Sequence, residues 1–132
     1  MTQPATTGRT DISTQYLRCW LRPDGLEVIA WQPGFEIDVL RATEAVEAGA
    51  EVAGDRVRGL LIDMRASGVM NRQARATFIG ASDWVYAVAL WVESPMSRVI
   101  ANFFLGVSRA PRPTRMFTSE REAVAWLTAN AP

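Results

Sequence analysis

The chain has 132 residues, 48% of them hydrophobic, which suits one domain with a substantial core and no second one. Its 14 basic residues, all arginine, balance 14 acids, so no net field draws it to nucleic acid or an anionic membrane. Lysine and histidine are absent and cysteine occurs once, at Cys19; this chain alone therefore builds no lysine Schiff base, Ser-His-Asp triad, Cys-His dyad, His-ligated metal site or internal disulfide.

Residues 1–14, rich in Thr, Ser and Gln, lack the apolar core of a signal peptide and read as a flexible tail before a single domain over 15–132. Tyr16 to Arg22 alternates, with Leu17, Cys19 and Leu21 on one face and Tyr16, Arg18, Trp20 and Arg22 on the other, as in a half-buried strand. Pro23-Asp24-Gly25 is a turn and Leu26 to Trp31 resumes the strand pattern, so the two runs predict an antiparallel hairpin. Tyr16, Trp20, Ile29 and Trp31 are expected to share one of its faces.

From Asp38 to Ala53, the residues Val39, Ala42, Val46, Ala50 and Ala53 recur at helical spacing, opposite an acidic face of Glu44, Glu47 and Glu51. Val57 to Met64 is the next strand; its unbroken Leu60-Leu61-Ile62 predicts burial on both faces, as in a parallel sheet covered by helices. A second helix follows from Asn71, a suitable N-cap, to about Ser82, with Ala74, Phe78 and Ala81 inward. Val85 to Val92, the most hydrophobic strand, is expected at the centre and is far short of the roughly 20 residues of a membrane span. Ser94-Pro95 opens a third helix running to about Val107, Thr114 to Phe117 is a short strand, and Ser119-Glu120-Arg121-Glu122 is a capping box for the last helix. The expectation is an α/β domain in the order β-β-α-β-α-β-α-β-α, a mixed, mostly parallel sheet of about five strands flanked by four helices.

This order, with Leu61-Ile62-Asp63-Met64 running into a capped helix, resembles the STAS or SpoIIAA-like domains over about Gln15 to Ala129. The stretch from Ala87 to Leu127 is similar to a group of small uncharacterised bacterial STAS-like proteins without an assigned activity. In the antagonist members an Asp-Ser-Ser-Gly motif starts the second helix and carries a phosphorylated serine. Here Asn71-Arg72-Gln73-Ala74 stands in that place, and Ser67-Gly68 lies four residues earlier, where a turn is the natural reading. The resemblance thus implies the fold more than the phosphorylation switch.

In open α/β sheets ligands gather beyond the carboxyl ends of the parallel strands. That rim is expected to hold Asp63, Arg65, Asn71, Arg72, Ser94, Ser97 and Arg98 as a candidate anion or ligand site, in which a helix N-terminus and two hydroxyls join a guanidinium. The competing reading is that Ser94 only caps its helix and Arg98 pairs with Glu93 or Asp63. Val99, Phe103, Phe104 and Val107, with Met96, Ile100 and Leu105, give the third helix more apolar surface than one sheet contact requires. That surplus points to an interface, with Phe103, Phe104, Val107 and Arg98 at its centre, to further intramolecular core, or to an apolar pocket. The sequence as a whole reads as a cytoplasmic, non-catalytic protein-interaction or regulatory module, homodimeric, with no cofactor, metal, nucleic acid or membrane insertion. The alternative is a carrier or sensor of a small amphipathic or anionic ligand.

Overall fold

A computed structural model of the chain describes residues 9–67, 70–80, 83–93, 95, 99 and 112–132. Its hairpin forms for the reason the alternation suggests. β2 (Leu17–Leu21) and β3 (Glu27–Trp31) pair antiparallel around a turn in which Asp24 Oδ1 accepts from Leu26 N at 3.2 Å and Gly25 adopts φ 89°. A three-residue strand, β1 (Asp11–Ser13), adds to the outer edge of β2, with Ile12 buried against the core. These residues belong to the segment expected to be a tail; one inward isoleucine and backbone pairing to Arg18, Cys19 and Trp20 hold them in the sheet. Continuing from β3, β4 (Arg58–Asp63), β5 (Val85–Trp91) and β6 (Thr114–Phe117) run parallel, so the six strands lie side by side in sequence order.

Three helices accompany this sheet among the described residues: α1 (Val39–Ala53), α2 (Arg72–Gly80) and α3 (Glu120–Ala129). Each starts on the kind of cap its sequence suggests: Asp38 accepts from Arg41 N at 2.9 Å, Asn71 from Ala74 N at 2.8 Å and Ser119 from Glu122 N at 3.2 Å. α1 ends at Gly54, whose φ of 71° suits glycine and whose N–H donates to Ala50 O. Of the segment expected to be a further helix, Pro95 and Val99 are described and are helical; Ser94, Ser97, Arg98, Phe103, Phe104 and Val107 lie outside the described residues. The observed architecture is therefore α/β with a sheet of six strands among the described residues, one more than expected.

Strand alternation divides the core in two. Cys19, Ile29, Leu60, Ile62, Leu90 and Val92 face α1 and α2, and Val28, Leu61, Ala87 and Ala89 face Ala123 and Leu127 of α3. Leu60-Leu61-Ile62 is buried on both sides of the sheet, as its unbroken hydrophobicity predicts. Two expected faces are corrected. α1 buries Ala42, Ala45, Ala48, Gly49, Val52 and Ala53 while Val39 and Ala50 are exposed, so its inward stripe is rotated relative to the one expected. Trp20 pairs with Val28 on the α3 face, opposite Ile29 and Trp31; Trp31 instead packs edge-on against Phe35 and Phe78. Among the described residues no helix is long and apolar enough to cross a membrane.

Candidate functional site

The parallel register places Asp63 at the end of β4 beside Trp91 at the end of β5. Arg65, two residues past Asp63, turns back over both. Its guanidinium lies 3.5 Å from the centre of the Trp91 ring, and its Nε and Nη2 donate to the two oxygens of Asp63, each at 2.9 Å. The Arg65 backbone N–H donates to the same carboxylate at 3.1 Å, and Nη1 reaches Glu93 Oε2 at 3.5 Å. The Asp63 hydrogen bond, seconded by the charges of Asp63 and Glu93, holds the Arg65 pKa above its ordinary value. Asp63, Arg65, Ala66 and Glu93 line an open cleft of about 480 Å³, within the range of small-ligand sites.

The structure brings Asp63 and Arg65 together and engages them with each other. Two carboxylates and one guanidinium leave this part of the rim with a formal charge of −1, so the described lining attracts cations more than anions. The hydroxyls and guanidinium expected to hold an anion, Ser94, Ser97 and Arg98, lie outside the described residues. Asn71 is engaged as the α2 cap and donates its N–H to Ile37 O at 3.1 Å, and Arg72 is exposed on the first turn of that helix. Both stand outside the described lining of the cleft. Among the described residues Arg65 is the observed partner of Asp63. Ser67 is buried with its hydroxyl donating to Met64 O at 2.8 Å, which is the turn role its Ser-Gly context suggests.

Two features escape the sequence reading. On the α3 face Arg18 lies 4.4 Å from the centre of the Trp20 ring and pairs with Asp11 at 2.6 Å, a second arginine-on-indole stack. On the other face Glu27 is fully buried beside Cys19, whose thiol donates to Glu27 Oε2 at 3.2 Å, while Oε1 has no hydrogen-bond partner among the described residues. Strand alternation could have found it, because it places Glu27 on the same side as Ile29 and Trp31. Burial pushes the Glu27 pKa up to about 8, and burial together with the Glu27 charge pushes the Cys19 thiol far above its ordinary range. Cys19 is consequently a poor nucleophile. Among the described residues no group of His, Cys, Asp and Glu is arranged to hold a metal ion.

A family model described as a domain of unknown function, DUF7793, matches residues 19–130. The chain belongs to the DUF7793 family. Its fold is similar to the crystal structure of an uncharacterised DUF3478-family protein with a SpoIIAA-like fold from Shewanella loihica PV-4. That match has a TM-score of 0.54 and 16% identity, covering 88% of this chain and 98% of the other. A protein of unknown function from Arthrobacter sp. FB24 is 33% identical over 83% of this DUF7793 chain and 97% of its own, with a TM-score of 0.34. No curated protein matches. The DUF7793 chain thus has a SpoIIAA-like fold, as its element order suggests, in a family whose description assigns no activity.

Proposed function

We propose that this domain is a non-catalytic regulatory binding module that acts as a homodimer, joined through the apolar helical segment that contains Val99. The observation that carries the reading is Val99 itself, a helical residue with 64% of its surface exposed, in a segment where Phe103, Phe104 and Val107 follow at helical spacing. A β-branched side chain left in water within so apolar a sequence supports an interface that a second copy would cover. The rim chemistry supports binding over catalysis, since Asp63 is already held by three N–H donors of Arg65.

Native mass spectrometry and light scattering test this reading. A dimer is expected for the wild type, and a monomer with an unchanged circular dichroism spectrum for Phe103→Asp. A monomeric wild type, or a folded variant that remains a dimer, overturns it. A second reading, a carrier or sensor of a small amphipathic or anionic ligand, rests on the volume of the cleft, about 480 Å³, and for an anion requires Arg98, which follows Glu93 in sequence, to offset the −1 of the described lining. In that case the wild type carries a reproducible extra mass from its expression host, and Arg98→Ala loses it.

A further inference from the structure

Histidine is the side chain that ordinarily changes charge between pH 5 and 8, and this chain has none. The structure nevertheless buries one carboxyl group whose surroundings suit its neutral form. Glu27 opens β3 on the face covered by α1 and has no exposed surface. Gly49 of α1 lies directly over it: a β-carbon at that position would stand 3.3 Å from Glu27 Oε2 and only 2.5 Å from the Trp84 ring. Trp84, in the turn before β5, thus packs against α1 at Gly49, and it also lines a cleft of about 320 Å³ with Ala50, Gly54 and Asp55.

Within the seam the charge of an ionised Glu27 would be poorly compensated. From β2 the facing titratable group is the Cys19 thiol, which satisfies Oε2 and leaves Oε1 without a partner among the described residues. From β4 the charge of Arg58 reaches Glu27, but its Nη1 and Nε are directed to the carbonyls of Gly25 and Ala53, each at 3.2 Å, so it acts on Glu27 through space. Asp11 of β1 adds negative charge near Cys19. From α1 and the β5 turn the neighbours, Gly49 and Trp84, carry no charge. A buried carboxylate in such a setting is expensive, whereas the protonated acid is tolerated.

We propose that Glu27 is a proton switch of this domain: its carboxyl is protonated in the closed fold, and loss of that proton loosens the seam of β2, β3 and α1 in which Cys19 is buried. An unfolded or opened chain has Glu27 in water, where it ionises near its ordinary value of 4.5, whereas the closed state keeps the proton up to about pH 8. The closed state thus binds one more proton than the open state between those limits. Closure is strongest below pH 4.5, weakens as pH rises through that window, and changes no further once the closed form also ionises above about pH 8.

Cys19, the only cysteine of the chain, is a built-in reporter. Its labelling rate with 4,4′-dithiodipyridine is measured from pH 5 to 9 and divided by the rate of the urea-unfolded protein at the same pH, which removes the intrinsic ionisation of the thiol. For the wild type the ratio is expected to rise by up to about tenfold per pH unit and to flatten above about pH 8. Glu27→Gln, which cannot ionise, should give a flat ratio. A flat wild-type ratio, or a parallel rise in Glu27→Gln, overturns the proposal. If Glu27→Gln does not fold, the urea midpoint of the wild type decides: it must fall between pH 5 and 8 and then level, and a constant midpoint overturns the switch.

Discussion

Asp63 and Glu27 are both acids on adjacent parallel strands, β4 and β3, yet the fold treats them in opposite ways. Asp63 points to the α3 face at the rim, where one arginine two residues away supplies three N–H donors, and its side chain keeps 16% of its surface in water. Glu27 points to the α1 face, has no exposed surface, and finds one weak thiol donor. Residue type does not decide the surroundings of an acid on this sheet. The face and the depth along the strand do, through solvent access and the number of donors within reach.

Removing the buried acid gives the largest expected effect and the sharpest test of that contrast. Glu27→Met keeps an unbranched chain of similar length while deleting the orphaned oxygen. At pH 8 the variant should be more stable than the wild type by roughly 1–4 kcal/mol in urea denaturation. The gain should shrink toward pH 5, because a protonated Glu27 is penalised less than an ionised one, whose full cost is reached only as pH rises to about 8. Equal stability of the two proteins at pH 8 would show that the seam solvates Glu27 as well as the rim solvates Asp63.

A second, smaller effect concerns how closely α1 seals the seam. Gly49→Ala places a methyl group where the Trp84 ring edge now sits, 2.5 Å away, so the indole or the helix must shift. Overpacking of this kind costs about 1–3 kcal/mol, read as a lower urea midpoint. The displaced indole also opens the seam, so Cys19 should label faster at every pH. Unchanged stability together with unchanged labelling would mean that Trp84 moves aside freely and does not close the seam.

How far these regions were legible in the sequence follows from how local their causes are. The hairpin from Leu17 to Trp31 and the doubly buried Leu60-Leu61-Ile62 were legible because period-two alternation, or its absence, reports burial directly. β1 was not, since Asp-Ile-Ser offers a single inward residue and its pairing with Arg18 to Trp20 is decided by the tertiary fold. The inward face of α1 was not legible for a different reason. Alanine and valine occupy so many of its positions that hydrophobicity alone selects no stripe; the close approach of Trp84 at Gly49 does. At the candidate site, Asp63 and Arg65 were recognisable as residues at a strand end, but the Arg65 stack on Trp91 depends on the register of β4 with β5. Glu27 carried a readable signal, being the one acid between Leu26 and Trp31 and in phase with Ile29. An isolated acid in a strand nonetheless reads first as solvent-facing.

The smallest expected effect lies at the rim, where Arg65→Lys keeps the charge and removes the planar fork. An ammonium cannot donate to both oxygens of Asp63 in the same parallel geometry while covering the face of Trp91. Because Arg65 is 40% exposed and Glu93 61% exposed, water replaces most of what is lost, and the stability change should stay below about 1 kcal/mol. Salt distinguishes the two halves of the interaction. The charge attraction is screened at high ionic strength, whereas the contact of guanidinium with indole is less so. A difference between wild type and Arg65→Lys that persists in 1 M salt assigns the loss to the stacked, bidentate geometry. A difference that vanishes there reduces the rim to an ordinary surface ion pair, and the contrast with Glu27 then becomes one between a solvated acid and a buried one, with the arginine secondary.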